Sequence, residues 1–346
     1  ITMDEVLDIL RGPVGEKVDL VIRRGQNIEF PVTLKREMIE VPTVKFGTIK
    51  EVEKAGTVGY VRIIEFTPQT AERVQQALDS FKKEKISALI IDLRNNPGGL
   101  ITSVVDVADK FIDKGPIVST KSRLAFENSV FTASPRKTTL KKDIPIVVLI
   151  NKGSASASEI LSGALKDNHL AYLVGQRTYG KGSVQQVLPL SSTDGIKITM
   201  ARYYTPSDTN IDKIGIPPDR EVLFPDFTED GEKQYTELIK GDEIEKFVEQ
   251  NKNMAETQIA EFAEKLHEKY TAIDLPTLRK LVRNEVNRTK GTMLYDLDWD
   301  VQLVAALDIL SGSKAEFDEL LKNTKTLKEL QEEAALKDES LSAEKK

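Results

Sequence analysis

The sequence predicts an α/β fold with a mainly parallel sheet, led by a small helix-plus-hairpin unit and followed by a charged helical region. Three observations carry that prediction. From about residue 45 to 175, short apolar runs with strand character alternate with amphipathic helical runs, an order that needs crossover connections and so favours parallel strands. Near the start, two alternating segments flank Arg23-Arg-Gly-Gln-Asn27, which reads as a hairpin. Beyond about residue 227, apolar positions recur at helical spacing in a Glu and Lys background.

In chain order, Thr2-Met-Asp-Glu5 has capping-box spacing, and Val6, Leu7 and Leu10 continue one apolar helical face that stops at Arg11-Gly12-Pro13. Strands follow at 17–22 and 28–34. Helix, Arg-Gly-x-x-Gly turn and hairpin look like the C-terminal half of a PDZ domain, which gives a first domain over 1–40. The second, over 41–226, holds a strand at 58–64, a helix at 69–84, a buried strand at 86–92 and a helix at 100–112. Strands at 116–120 and 145–150, a serine-bearing helix at about 155–167 and a strand at 171–175 complete it. The stretch 121–143, rich in Lys, Ser and Thr, is either a flap over the site or a surface excursion. A helical region spans 227–325, with Leu238, Ile239, Phe247, Val248, Ile259, Phe262 and Leu266 as one apolar group and 294–310, including Trp299, as another. Such stripes pack on their own domain or form the seam of a homodimer. Residues 326–346 have few large apolar groups and are expected to be disordered.

The 346 residues are enough for two or three domains with a substantial core. A net charge of −6 with 30% charged residues argues against a nucleic-acid-binding surface. No apolar run reaches the roughly 18 residues that span a bilayer. The chain begins at Ile1 with residues that read as the middle of a domain, so it is expected to be a fragment lacking its own signal or anchor segment. Without cysteine there is neither disulfide nor thiolate site, and scattered carboxylates with two distant histidines show no ligand spacing, so no metal or other cofactor is expected.

Three segments carry chemistry, and a parallel sheet would bring them together at the C-terminal ends of its strands. Asn151-Lys-Gly-Ser-Ala-Ser-Ala-Ser-Glu-Ile160 sets Ser154, Ser156 and Ser158 at a helix start. Each is a candidate hydroxyl nucleophile, and each is equally a helix cap, Ser156-x-x-Glu159 having capping-box spacing. With histidine nearly absent, the proton acceptor is expected to be a lysine, and Lys181 in Tyr179-Gly-Lys-Gly-Ser-Val-Gln185 is the best placed. A solvated lysine titrates near ~10.4, so a basic role calls for burial. Gln185, four residues on, is placed to orient the amine. In Asp92-Leu-Arg-Asn-Asn-Pro-Gly-Gly99 the glycines free backbone N–H groups for an oxyanion, with Ala157 N–H as a second donor.

Together these residues resemble the C-terminal processing peptidases, also called tail-specific proteases. The resemblance runs from residue 1 to about 225, through Arg11-Gly-x-x-Gly15, the 92–99 and 151–159 motifs, Tyr179 to Gln185, Ala201-Arg-Tyr-Tyr-Thr-Pro-Ser207 and Gly215-Ile-Pro-Pro-Asp219. It implies a ClpP/crotonase-like protease core with Ser156 as nucleophile, Lys181, 25 residues on, as general base and Gln185 positioning it. Gly98 or Gly99 would join Ala157 in the oxyanion hole, the choice between them staying open, and Arg11 is either a gating residue or a plain surface arginine. The implied activity is ATP-independent endoproteolysis of partly unfolded proteins with apolar C-terminal tails, held by the PDZ domain, in a periplasmic or other extracytoplasmic space of bacterial type. The first half of the PDZ domain is not in the sequence, so tail preference is not legible. The competing readings are a crotonase-like hydratase or thioesterase, which needs no serine–lysine pair, and a non-catalytic PDZ scaffold.

Overall fold

Thr2 and Glu5 close the predicted capping box in the computed structural model: Thr2 N–H donates to Glu5 Oε2 at 2.6 Å and Glu5 N–H to Thr2 Oγ1 at 3.3 Å. The structure describes residues 2–24, 28–38, 42–140, 143–191, 194–251, 254–288 and 293–343. The predicted hairpin turn at 25–27, the domain boundary at 39–41, part of the excursion at 141–142 and the tail end at 344–346 lie outside the described residues. The chain divides into two compact units, Ile1–Pro42 and Thr43–Lys346.

In the first unit α1 (Met3–Leu10) precedes an antiparallel pair, β1 (Lys17–Arg24) and β2 (Ile28–Lys35). Arg36, which no sequence motif marks, ties them. Its guanidinium donates to the carbonyls of Leu10 and Ile9 at 3.0 Å each, satisfying acceptors that a helix end leaves open. Arg11 contributes its backbone, donating from N–H to Leu7 O at 2.8 Å, while its side chain is exposed.

The second unit is built on β3 (Val44–Val52), β4 (Gly56–Ile63), α2 (Thr70–Glu84), β5 (Ala88–Asp92) and α3 (Ile101–Ala108). Then come β6 (Gly115–Ser122), β7 (Ser129–Ala133), β8 (Ile146–Ile150), α4 (Ala157–Asp167) and β9 (Tyr172–Gly175), followed by β10 (Ser183–Pro189), β11 (Gly195–Tyr204) and β12 (Arg220–Glu221). A six-stranded sheet runs in the order β12-β9-β8-β5-β4-β3, parallel except for the edge strand β3. Its central strands β5 and β8 are buried on both faces, as parallel strands covered by helices must be. Leu89, Ile91, Val148 and Ile150 face α2, α3 and α4, whereas Ile90, Val147 and Leu149 face the other layer. That alternation follows from the two-residue period of a strand.

Two strands depart from expectation. The run at 116–120 does not join the parallel sheet; as β6 it pairs antiparallel with β11 and β7 in a second sheet of order β10-β11-β6-β7. The preceding helix α3 is shorter than predicted, ending at Ala108, with Phe111 N–H bonding Ala108 O at 3.0 Å beyond it. The stretch 121–143 is correspondingly more regular, since β7 lies within it.

The C-terminal region consists of α5 (Glu229–Lys240), α6 (Glu243–Gln250), α7 (Glu256–Lys269), α8 (Leu275–Val286), α9 (Val301–Leu310), α10 (Lys314–Lys322) and α11 (Leu327–Ala343). Leu238, Ile259, Phe262 and Leu266 are buried with Leu278 and Val282 in a cluster of their own, so these stripe positions are covered within the chain. Helix α9 behaves differently: Leu303, Ala306, Leu307 and Leu310 pack on the second face of the parallel sheet. The expectation of disorder over 326–346 is corrected for residues 327–343 by α11, whose first residue Leu327 is buried against α4 with Leu330 packed beside it. Thr326 and Glu329 form a capping box there, with Thr326 N–H donating to Glu329 Oε2 at 2.7 Å and Glu329 N–H to Thr326 Oγ1 at 3.3 Å.

One buried ion pair closes the sheet edge. Lys166 Nζ, on a side chain only 1% exposed, bonds Asp219 Oδ1, and Asp219 Oδ2 accepts from Leu173 N–H at 2.9 Å. Removing one partner strands the other charge in the interior. Lys166→Met is therefore expected to cost about 3–5 kcal/mol in urea unfolding; a loss below about 1 kcal/mol would show that the pair contributes no more than a surface one.

Candidate active site

The Ser154, Ser156 and Ser158 hydroxyls have different fates. Ser154 Oγ donates to Leu93 O at 2.8 Å and Ser158 Oγ to Asn96 O at 3.0 Å, and both residues are fully buried. These two serines bolt the start of α4 to the loop after β5. Ser156 is the partly exposed one, at a sharp bend with φ 55° and ψ −111°. A non-glycine residue in that region is strained by about 1–3 kcal/mol and is held there by its surroundings. The capping box forms by one clear half, Ser156 N–H donating to Glu159 Oε2 at 2.9 Å.

Gly98 lies against Ser156, and Gly99 against Phe66. A Cβ on Gly98 would stand 2.7 Å from Ser156 Cβ and 3.0 Å from Ala157 N, and one on Gly99 would stand 2.1 Å from Phe66 O. Both have positive φ, 109° and 140°, so glycine is required on conformational and steric grounds alike. Their amides are not equivalent. Gly98 N–H donates to Asn96 Oδ1 at 2.8 Å, whereas among the described residues neither Gly99 N–H nor Ala157 N–H enters a hydrogen bond. Asn96, whose Nδ2 also donates to Ile63 O at 2.9 Å, sets the loop and was not picked out from the sequence.

Glu159 joins the serine to the lysine segment. Fully buried, its carboxylate accepts from Ser156 N–H, from Lys181 N–H at 2.8 Å, from Gly180 N–H at 2.6 Å and from Thr178 Oγ1 at 2.6 Å. One side chain thus fixes the backbones of Ser156 and Lys181 together. Burial of Lys181, expected from the sequence, is not observed: the residue is exposed, and no hydrogen bond links it to the Ser156 hydroxyl among the described residues. It precedes β10, an edge strand of the smaller sheet. Among the described residues no hydrogen bond joins Gln185 to the lysine amine; its Nε2 donates to Thr199 Oγ1 at 3.4 Å. Gln185 pairs with Thr199 because β11 bulges at Met200, the residue its register skips between Ala201 and Thr199, and Lys181 lies before the first residue of β10.

A buried polar network lies behind the glycine loop. Asp92 accepts from Arg94 N–H at 2.9 Å, from Arg94 Nε at 3.0 Å, from Arg94 Nη2 at 2.7 Å and from Tyr60 Oη at 2.6 Å. Burial opposes ionisation of Asp92, but the Arg94 charge and the hydrogen bonds from Arg94 and Tyr60 outweigh it and hold the carboxyl below its usual 3.8. Burial pushes the Tyr60 phenol up, and the Asp92 charge pushes it further. Because the folded-state value of Asp92 is depressed, its stabilisation is present above about pH 4 and is lost as pH falls through that folded-state value. Unfolding free energy is expected to drop on acidification below about pH 4 and to drop less steeply in Asp92→Asn. Equal slopes in guanidine titrations from pH 7 to 3 would refute this.

Residues 57–222 match the model of peptidase family S41. The carboxy-terminal-processing protease of Bartonella bacilliformis is 41% identical over 229 residues, covering 65% of this chain and 51% of that protein. The carboxyl-terminal-processing protease of Synechocystis sp. is 39% identical, covering 65% and 52%. The chloroplastic carboxyl-terminal-processing peptidase 2 of Arabidopsis thaliana is 36% identical, covering 64% and 43%. The chain spans about half the length of these relatives. Through residues 57–222, the segment that carries the Ser156 bend, the glycine loop and Lys181, this chain belongs to peptidase family S41.

Proposed function

We propose that the chain is an ATP-independent serine endopeptidase with a Ser156–Lys181 dyad, cleaving partly unfolded proteins whose apolar C-terminal tails are held by a PDZ domain that includes residues 2–38. The observation that carries this reading is the division of labour among the serines: two hydroxyls are spent on the loop after β5, and Ser156 alone stands at a strained bend beside Gly98.

In the reaction Ser156 Oγ attacks the scissile carbonyl carbon as Lys181 Nζ takes the hydroxyl proton. The carbonyl π bond becomes an oxyanion, for which the uncommitted N–H groups of Gly99 and Ala157 are the suited donors. Gly98, its amide already given to Asn96, supplies close approach instead. The tetrahedral species collapses with C–N cleavage, the lysine proton passing to the leaving amine. Water then hydrolyses the acyl-enzyme by the reverse proton route. Lys181 acts as a base only where water is excluded, so the exposed amine calls for substrate to cover β10, and Gln185 is proposed to orient it in that complex. From the resemblance to the C-terminal processing peptidases, the site of action is proposed to be extracytoplasmic.

A fluorophosphonate reagent tests the reading, because it traps only an activated serine. Mass spectrometry is expected to find one adduct, on Ser156, in parallel with loss of cleavage of an unfolded protein with an apolar C-terminus. Cleavage that continues without an adduct on Ser156 would overturn it.

A further inference from the structure

The buried network behind the glycine loop reaches into the C-terminal helices. All five N–H donors of Arg94, a residue 8% exposed, are engaged. Nε and Nη2 serve Asp92; Nη2 also serves Asp300 Oδ2 at 2.6 Å, and Nη1 serves Asp300 Oδ1 at 2.7 Å and Gln302 Oε1 at 3.1 Å. Such a two-carboxylate clamp fixes the guanidinium plane and not merely its position. Asp300 is itself immobilised, as the N-cap of α9, accepting from Leu303 N–H at 3.0 Å. Gln302, fully buried, donates from Nε2 to Val222 O at 2.7 Å. The apolar face of α9 is anchored on the sheet through Leu303, Ala306, Leu307 and Leu310.

Arg94 is followed directly by the turn that must hold three left-handed residues, Asn95 at φ 59°, Gly98 at 109° and Gly99 at 140°. A loop with that backbone keeps its shape only when both ends are fixed. Its far end is fixed by the bridge from Gly99 to Phe66, with Phe66 N–H on Gly98 O and Leu100 N–H on Phe66 O at 2.8 Å each. Its near end is fixed by Arg94. Asp92 alone, the last residue of β5 and two positions before Arg94, cannot set that end, because it moves with the strand end it would have to restrain; Asp300 caps a separately anchored helix.

We infer that Asp300, with Gln302, is a positioning residue for the oxyanion donors, holding the Gly98–Gly99 loop against Ser156 through Arg94. A residue 206 positions away from Arg94 in sequence thereby belongs to the active-site machinery, and the helical region after residue 293 is needed for turnover and not only for stability. The inference rests on the serine-peptidase reading above.

The test uses the full chain carrying Asp300→Asn, with an intact peptide substrate and a peptide aldehyde, whose hemiacetal with Ser156 needs the oxyanion donors. Expected are a kcat lowered by about 10- to 100-fold, less than for outright removal of an oxyanion donor, a KM within about twofold, and aldehyde affinity weakened in proportion to kcat. Unchanged kcat and aldehyde affinity per folded molecule, with only the thermal midpoint lowered, would overturn the proposal and leave Asp300 a structural cap. Should Asp300→Asn fail to fold, Gln302→Met, which withdraws one acceptor from Arg94, is measured in the same way; a folded Gln302→Met with unaltered kcat and aldehyde affinity overturns the proposal equally. Ser156→Ala run alongside separates the two levels of claim. Cleavage surviving in Ser156→Ala sinks the peptidase reading, whereas a dead Ser156→Ala beside a fully active Asp300→Asn sinks only this inference.

Discussion

Ser156→Ala is expected to lower kcat/KM for an unfolded protein substrate by about 10⁴-fold or more, with the thermal midpoint nearly unchanged. The small effect on folding follows from geometry: Ser154 and Ser158 carry the hydrogen bonds that fasten α4 to the loop after β5, and Ser156 ties into the fold through its backbone N–H. Lys181→Ala is expected to match that loss, and the double variant to be no worse than either single, because nucleophile and base act as one unit. Lys181→Arg keeps the charge but supplies no neutral amine, so it should be equally inactive. Activity is expected to rise with pH, since only the unprotonated amine accepts the serine proton. Kinetics on an unfolded substrate decide the matter. Residual activity in Lys181→Ala within about tenfold of the intact chain would remove the lysine from the mechanism.

Glu159→Gln is expected to have the second-largest effect, on turnover and stability together. Four donors converge on the two carboxylate oxygens: Ser156 N–H, Lys181 N–H, Gly180 N–H and the Thr178 hydroxyl. A glutamine of the same shape replaces one acceptor by an NH₂ group, which opposes at least one buried N–H whichever way it is turned. Each donor left unpaired costs about 1–3 kcal/mol. If the amide faces Ser156 and Lys181, the strained bend at φ 55° loses the contact that holds it and both backbones are released at once. We therefore expect unfolding free energy to fall by about 2–5 kcal/mol and kcat per folded molecule by about 100-fold, since small displacements between reacting groups are costly. A folded Glu159→Gln with undiminished kcat would show that the bridge is only a helix cap.

Part of the site is legible in the sequence. Local spacing marks Ser156-x-x-Glu159 as a capping box, and the serine–glutamate half of that contact forms. The same spacing carries no sign that Glu159 also binds Lys181 and Gly180, because those partners lie 22 and 21 residues away. Gln185 shows the opposite failure: its place four residues after Lys181 suggests a contact, but in β10 it pairs across to Thr199, a register set by a bulge in the neighbouring β11. The pair Gly98 and Gly99 is equivalent as a stretch of sequence. Only the Asn96 side chain, folding back two residues, distinguishes their amides.

What the sequence by itself determined are the features encoded over three or four residues or by a period of two: the capping boxes, the α/β alternation through β4, β5, β8 and β9, the buried central strands and the glycine turn. These rest on local hydrogen bonds and on side-chain direction, which neighbouring residues specify among themselves. Tertiary structure alone decided which serine hydroxyl stays uncommitted, which amides stay open, that α9 covers the sheet, and that Asp300 grips Arg94. A buried carboxylate and a solvated one are the same letter in a sequence. Their partners are set by how strands far apart in the chain are ordered in the sheet, and that order follows from the burial of the whole apolar core, which no local pattern encodes.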